Sequence, residues 1–165
     1  MSPVARPASP DDAERIAQIY NEGIEDRVGT FETRPRTADD VRAWFDGTHP
    51  IVVVEQNGRL IAFASTSSYR ARECYAGIAE FSVYVARNAR GLGAGTIAMR
   101  ALIDAVGPAG IWKLVSRIFV DNTASRKLMA SMGFREGGIY EKHAQLDGQW
   151  RDVVIVERLI PENVS

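Results

Sequence analysis

The chain is poor in the residues that commit a protein to disulfide, metal or membrane chemistry. It has one cysteine, Cys74, which cannot form an internal disulfide, and two histidines, too few for a histidine-built metal site. No apolar run approaches the roughly 20 residues of a membrane span. The N-terminal stretch "MSPVARPASPDDAERIAQIY" lacks the basic-then-apolar pattern of a secretion signal. No block of lysine and arginine stands out and the formal net charge is −1, which argues against a nucleic-acid binder. Internal repeats, low-complexity tracts and linkers are also missing. The expectation is a soluble, cytoplasmic, single domain over residues 1–165, long enough to bury a core unaided.

What is there alternates between helical and strand-like segments. "SPDDAERIAQIYNEG" reads as a capped helix, with Ser9 and Pro10 at its start and Ile16, Ile19 and Tyr20 as an apolar stripe. "RTADDVRAWFDG" predicts a shorter helix, capped by Thr37 and stopped by Gly47. "PIVVVEQNGRLIAFAS" places two β-branched runs about Asn57-Gly58, the dipeptide that best tolerates a tight hairpin. "GIAEFSVYVA" is a further strand. Ala98, Met99, Leu102 and Val106 recur at helical spacing, and "IWKLVSRIFV" reads as a buried strand. "NTASRKLMASMGF" predicts a helix with Ala124, Leu128 and Met132 on its apolar face, ended by Gly133. A second hairpin turns at Asp147-Gly148. The sum is a mixed α/β domain.

Chemistry concentrates in "RGLGAG". Gly91, Gly93 and Gly95 stand at a strand-to-helix junction, where backbone N–H groups and a helix N-terminus can converge on a phosphate. A P-loop would need lysine followed by serine or threonine, and Ala94-Gly95-Thr96 has no lysine. A Rossmann fingerprint would need glycine at position 96, which is Thr96. Alone, the loop fits equally a pyrophosphate cradle and a glycine turn beside a solvated arginine.

The remaining pattern, R-x-x-G-x-G as Arg90, Gly93 and Gly95, resembles the acetyl-CoA loop of GNAT N-acetyltransferases. Downstream, Asn122 and Ser125 followed by Gly133-Phe134 match the family's Asn-x-x-Ser helix, and the order of elements matches over nearly the whole chain. The resemblance implies a central twisted, mostly antiparallel sheet, splayed between its fourth and fifth strands and flanked by about four helices. It also implies acetyl-CoA as co-substrate. Arg90, Gly91, Gly93, Ala94 and Gly95 would hold the pyrophosphate, and Val83 and Val85 would offer strand backbone to the pantetheine. Asn122 and Ser125 would steady the arm, and an amide near Val83 would stabilise an oxyanion. A homodimer is common among such relatives.

Glu80 gives the acceptor side its chemistry. Alternation puts Ala79, Phe81, Val83 and Val85 on one strand face and Glu80, Ser82 and Tyr84 on the other. An amine must lose a proton before it attacks a thioester, and a carboxylate there, directly or through water, can take it. "YRARECYAGIAEFSVYV" is similar to the phosphinothricin and arsinothricin N-acetyltransferase branch, which makes Glu80 the general base. The same branch puts Arg70, Arg72 and Tyr75 beside the acceptor and Thr30-Phe31 in its substrate loop. His143 is a further candidate for the acceptor pocket. Guanidinium groups suit the oxyanions of a glutamate-like acceptor such as phosphinothricin, arsinothricin or methionine sulfoximine.

Two departures stand out. Met129 occupies the family's usual tyrosine, the general acid, which leaves Tyr84, another group or water to assist the leaving thiolate. Asp147 occupies the branch's frequent histidine before Gly-x-Trp. Rival readings are acetylation of a protein N-terminus or polyamine, a non-catalytic acyl-CoA-binding module, and a nucleotide-binding protein. A polyamine would be repelled by Arg70 and Arg72.

Overall fold

In the computed structural model, which describes residues 2–164, a seven-stranded sheet carries four α-helices. The strands are β1 (Val4–Pro7), β2 (Ile51–Gln56), β3 (Arg59–Ser68), β4 (Ile78–Val85), β5 (Lys113–Phe119), β6 (Arg135–Leu146) and β7 (Gln149–Leu159). The helices are α1 (Ala13–Glu25), α2 (Ala38–Arg42), α3 (Ala94–Val106) and α4 (Thr123–Ser131). Sheet order is β1-β2-β3-β4-β5-β7-β6, antiparallel except between β4 and β5.

Turn chemistry sets both hairpins as the sequence predicts. Asn57 and Gly58 adopt φ of 56° and 76°, and Asp147 and Gly148 adopt 52° and 77°, the paired positive angles of a tight two-residue turn. The α3 stripe also holds: Ala98, Met99, Leu102 and Val106 are completely buried, against β2 and β3. Thr37 caps α2 through a hydrogen bond accepted from the Asp40 amide at 3.1 Å. That helix ends after five residues, well before Gly47.

Three elements differ from expectation. β1 has no counterpart in the sequence reading, because four residues ending in proline carry too little alternation. Its place comes from pairing with β2 and from Arg6, which holds Asp12 at 2.8 Å and Glu55 at 2.7 Å. The stripe of α4 is rotated: Met129 is its buried residue, whereas Ala124 is exposed and Leu128 half-buried. Tyr84 shares its strand face with Glu80 but is buried under α1, stacked on Phe63 and edge-on to Tyr20. Gly23 makes room for it, since a Cβ there would lie 2.8 Å from the Tyr84 ring.

Candidate active site

The parallel pairing of β4 with β5 is short. It runs through Ile78–Lys113 and Ala79–Leu114 and ends at Glu80–Val115, although β4 continues to Val85 and β5 to Phe119. Beyond Glu80 the strands diverge, so the sheet splays where expected and Glu80 stands at the fork.

The open stretch leaves backbone groups without strand partners. The Ser116 hydroxyl donates to the Phe81 carbonyl at 2.9 Å, and the Trp112 amide to the Gly77 carbonyl at 2.7 Å. Odd-numbered residues of this strand therefore aim their backbone polar groups toward β5. By the same alternation, Val83 and Val85 present N–H and C=O groups to the gap, where the Val85 carbonyl accepts from Arg90 Nε at 3.4 Å and unpaired groups need a ligand or water.

Three continuous spaces follow the fork. A groove of about 420 Å³ is lined by Val83, Val85, Arg90, Gly91, Gly93, Gly95, Asn122 and Ser125, with Ala124 and Leu128 on its α4 wall. A narrow slot between β4 and β5 joins it and reaches Met129. The slot opens into a second cavity of about 420 Å³, where Thr30, Phe31, Glu80 and His143 meet.

The groove fits a pyrophosphate through backbone geometry. Gly91 and Gly93 take φ of +80° and +88°, and Gly93 is the left-handed N-cap of α3. The first-turn amides of that helix, Ala94 to Thr96, lack intrahelical acceptors and carry the positive end of its dipole. A Cβ on Gly95 would lie 3.3 Å from Leu128, so glycine keeps the groove open there. Arg90 is already engaged: Nη1 donates to Asp26 at 2.7 Å. Arg87 shares the same carboxylate at 2.9 Å, and these two guanidiniums hold it below the usual carboxylate range. Asn122 is likewise tied into the protein. Its Oδ1 accepts from the Ser125 amide at 3.2 Å, capping α4, and its Nδ2 donates to the Val28 carbonyl at 3.0 Å.

In the second cavity Glu80 is about one-third exposed and 3.5 Å from Arg117 on β5. His143 is exposed on β6 beside Tyr140. Phe31 seats edge-on against Phe119, with centroids 5.0 Å apart. The loop bearing Thr30 and Phe31 is strapped to the β6–β7 turn by Arg27, which donates to Asp147 at 2.9 and 3.3 Å. Asp147 thus fastens the loop whose Thr30 and Phe31 roof this cavity. Burial pushes the Tyr84 phenol up, so it holds its proton, and Met129 is a fully buried thioether.

Some expected residues lie elsewhere. Arg72 and Tyr75 are exposed on the turn Glu73–Tyr75 and line none of these spaces. Arg70 lies over Tyr69, 4.8 Å from the ring centroid, and lines a further cavity of about 240 Å³ that Glu80 also borders. Sequence reading missed Arg117 and Ser116 altogether, because a lone arginine or serine on a strand carries no pattern.

Known proteins share this architecture. The chain is 31% identical over 160 residues to a phosphinothricin N-acetyltransferase of Streptomyces coelicolor, covering 93% of this chain and 94% of that one. It is 30% identical over 162 residues to an L-methionine sulfoximine/L-methionine sulfone acetyltransferase of Pseudomonas paraeruginosa, with 95% and 94% covered. A solved phosphinothricin acetyltransferase from Sinorhizobium meliloti, in complex with acetyl-CoA, superposes with TM-score 0.88 at 26% identity, over 96% of this chain and 89% of that one. The model of the acetyltransferase (GNAT) family matches residues 15–134. A splayed fork, a glycine-built anion groove and these likenesses converge: the chain belongs to the GNAT family and is an acetyl-CoA-dependent N-acetyltransferase.

Proposed function

We propose that the protein acetylates the α-amine of a small glutamate-like amino acid, including toxic analogues such as phosphinothricin, arsinothricin and methionine sulfoximine, and so detoxifies them. The observation that carries this reading is the position of Glu80, at the fork, bordering an acceptor-sized cavity continuous with the cofactor groove. The relatives that act on phosphinothricin and methionine sulfoximine support the acceptor class.

Acetyl-CoA supplies the acyl group as an activated thioester. Amides of the Gly91–Gly95 loop and of α3 bind its pyrophosphate, while the backbone of Val83 and Val85 orients the pantetheine. Glu80 accepts the proton of the acceptor ammonium, directly or through one water, which frees the nitrogen lone pair for attack. Thr30, Phe31 and His143 enclose the acceptor. The CoA thiolate is a good leaving group, and solvent protonates it. The protein acts as a homodimer; Ile139, Tyr140 and Trp150, all at least half exposed on the β6–β7 hairpin, supply apolar surface for it.

A CoA-release assay with acetyl-CoA tests the acceptor. Turnover is expected with phosphinothricin, arsinothricin or methionine sulfoximine. Activity on peptides together with none on any amino acid overturns the reading.

A further inference from the structure

Arg117 is unlike the other paired arginines. Arg126 grips Glu136 through two hydrogen bonds of 2.8 Å, and Arg6 donates to both Asp12 and Glu55 at 2.7–3.0 Å. Arg117 instead stands 3.5 Å from Glu80, and among the described residues its guanidinium has no other polar side-chain partner. A guanidinium offers five N–H donors in a planar fork. Nearly all of that capacity faces open space.

The space is where three cavities meet. Arg117 lines the slot between β4 and β5, the cavity of Thr30 and His143, and the cavity of Tyr69 and Arg70. Among the described residues it is the one charged side chain common to all three. The fold explains its position. Glu80 pairs with Val115, and Arg117 is the next residue of β5 on that same face, one pleat beyond the fork.

We propose that Arg117 binds the carboxylate of the acceptor and selects free α-amino acids over other amines. The inference rests on the amino-acid reading given above. An amino acid carries its ammonium and carboxylate on a single carbon. Glu80 and Arg117 present a carboxylate and a guanidinium side by side, in the complementary order of sign. The acceptor's ammonium meets Glu80, and its carboxylate takes the Arg117 fork through two parallel N–H···O bonds. Seating the acceptor displaces only a single ion pair between side chains 41% and 34% exposed. Such a pair contributes little, so Arg117 is available at small cost. A peptide N-terminus would place a neutral amide carbonyl there, and a polyamine a repelled cation. Arg70, in the adjoining cavity, faces the distal head of the same acceptor.

The test compares methionine sulfoximine with its α-carboxamide, in the wild type and in Arg117→Gln. The wild type is expected to prefer the acid roughly 10- to 100-fold in kcat/KM, the size of a hydrogen bond to a charged group. Arg117→Gln is expected to lose that preference, the KM of the acid rising far more than that of the carboxamide. If Arg117→Gln does not fold, Arg117→Met, which keeps the aliphatic stem, carries the same readout. A variant that retains the full preference for the acid overturns the assignment to Arg117 alone. A wild type that acetylates the carboxamide or peptides and no free amino acid overturns the acceptor class, and Arg117's role with it.

Discussion

The proposed cofactor groove and acceptor cavity adjoin at one fork yet are built from different materials. One side of the groove is a contiguous stretch within residues 83–96, the edge of β4, a glycine loop and the first turn of α3, and its other side comes from Val28, Gly29 and α4. The acceptor cavity is made of side chains from four separate places, Thr30 and Phe31, Glu80, Arg117 and His143. Backbone can bind any pyrophosphate and leaves a short motif. Side chains gathered from afar set selectivity and leave almost none.

Glu80→Gln is the sharpest way to separate the two. It is expected to lower kcat by roughly 10²–10⁴-fold, as for loss of a general base, with acetyl-CoA binding by calorimetry unchanged. Equal turnover with acetyl-CoA still bound removes Glu80 from the mechanism. Gly93→Ala is the converse. Its φ of +88° forces strain on any Cβ-bearing residue, so the KM for acetyl-CoA should rise about 10-fold at a strain cost of roughly 1–2 kcal/mol. The acceptor KM at saturating acetyl-CoA should hold; a rise in it alone contradicts the division.

Asn122 lines the groove and the slot that leads from it, caps α4 and ties Val28 beside the loop of Gly29, Thr30 and Phe31 that lines the second cavity. Asn122→Ala should cost about 1 kcal/mol as a lost cap and lower Tm by roughly 2–4 °C. Both KM values should rise, and a change in one only would show that Asn122 does not couple the two regions. The smallest effect is expected from Asp147→Ala, which unstraps the roof. The acceptor KM should rise roughly two- to fivefold, in keeping with an exposed ion pair, with acetyl-CoA unaffected. The pH dependence has a definite sign. Arg27 holds the Asp147 carboxyl below its ordinary 3.8. The strap's contribution is therefore complete above that value and fades as pH falls through the depressed one. The Tm difference between wild type and Asp147→Ala should be flat near neutrality and close only in acid.

Particular residues show what was legible. The Asn57-Gly58 and Asp147-Gly148 turns and the α3 stripe are local rules, with answers inside a few neighbouring residues. Arg90, Gly93 and Gly95, close together in the chain, line a single groove. The four residues of β1 were not legible, because their partner lies some fifty positions away in β2. Ala124 and Leu128 looked like core positions by spacing but form the wall of a groove. Arg72 read as an acceptor ligand and stands outside the cavities, while Arg117 gave no signal and stands among them.

The amino-acid order alone determined the mixed α/β character, the hairpins, the glycine loop before α3 and the placing of an acid on β4, since each depends on short-range periodicity or turn angles. Tertiary structure decided that β4–β5 pairing stops at Glu80, that Tyr84 is buried under α1, that Arg90 is held by Asp26, and that Arg117 faces Glu80. Those outcomes depend on which distant side chains compete for the same space and charge, and no window of sequence contains both competitors.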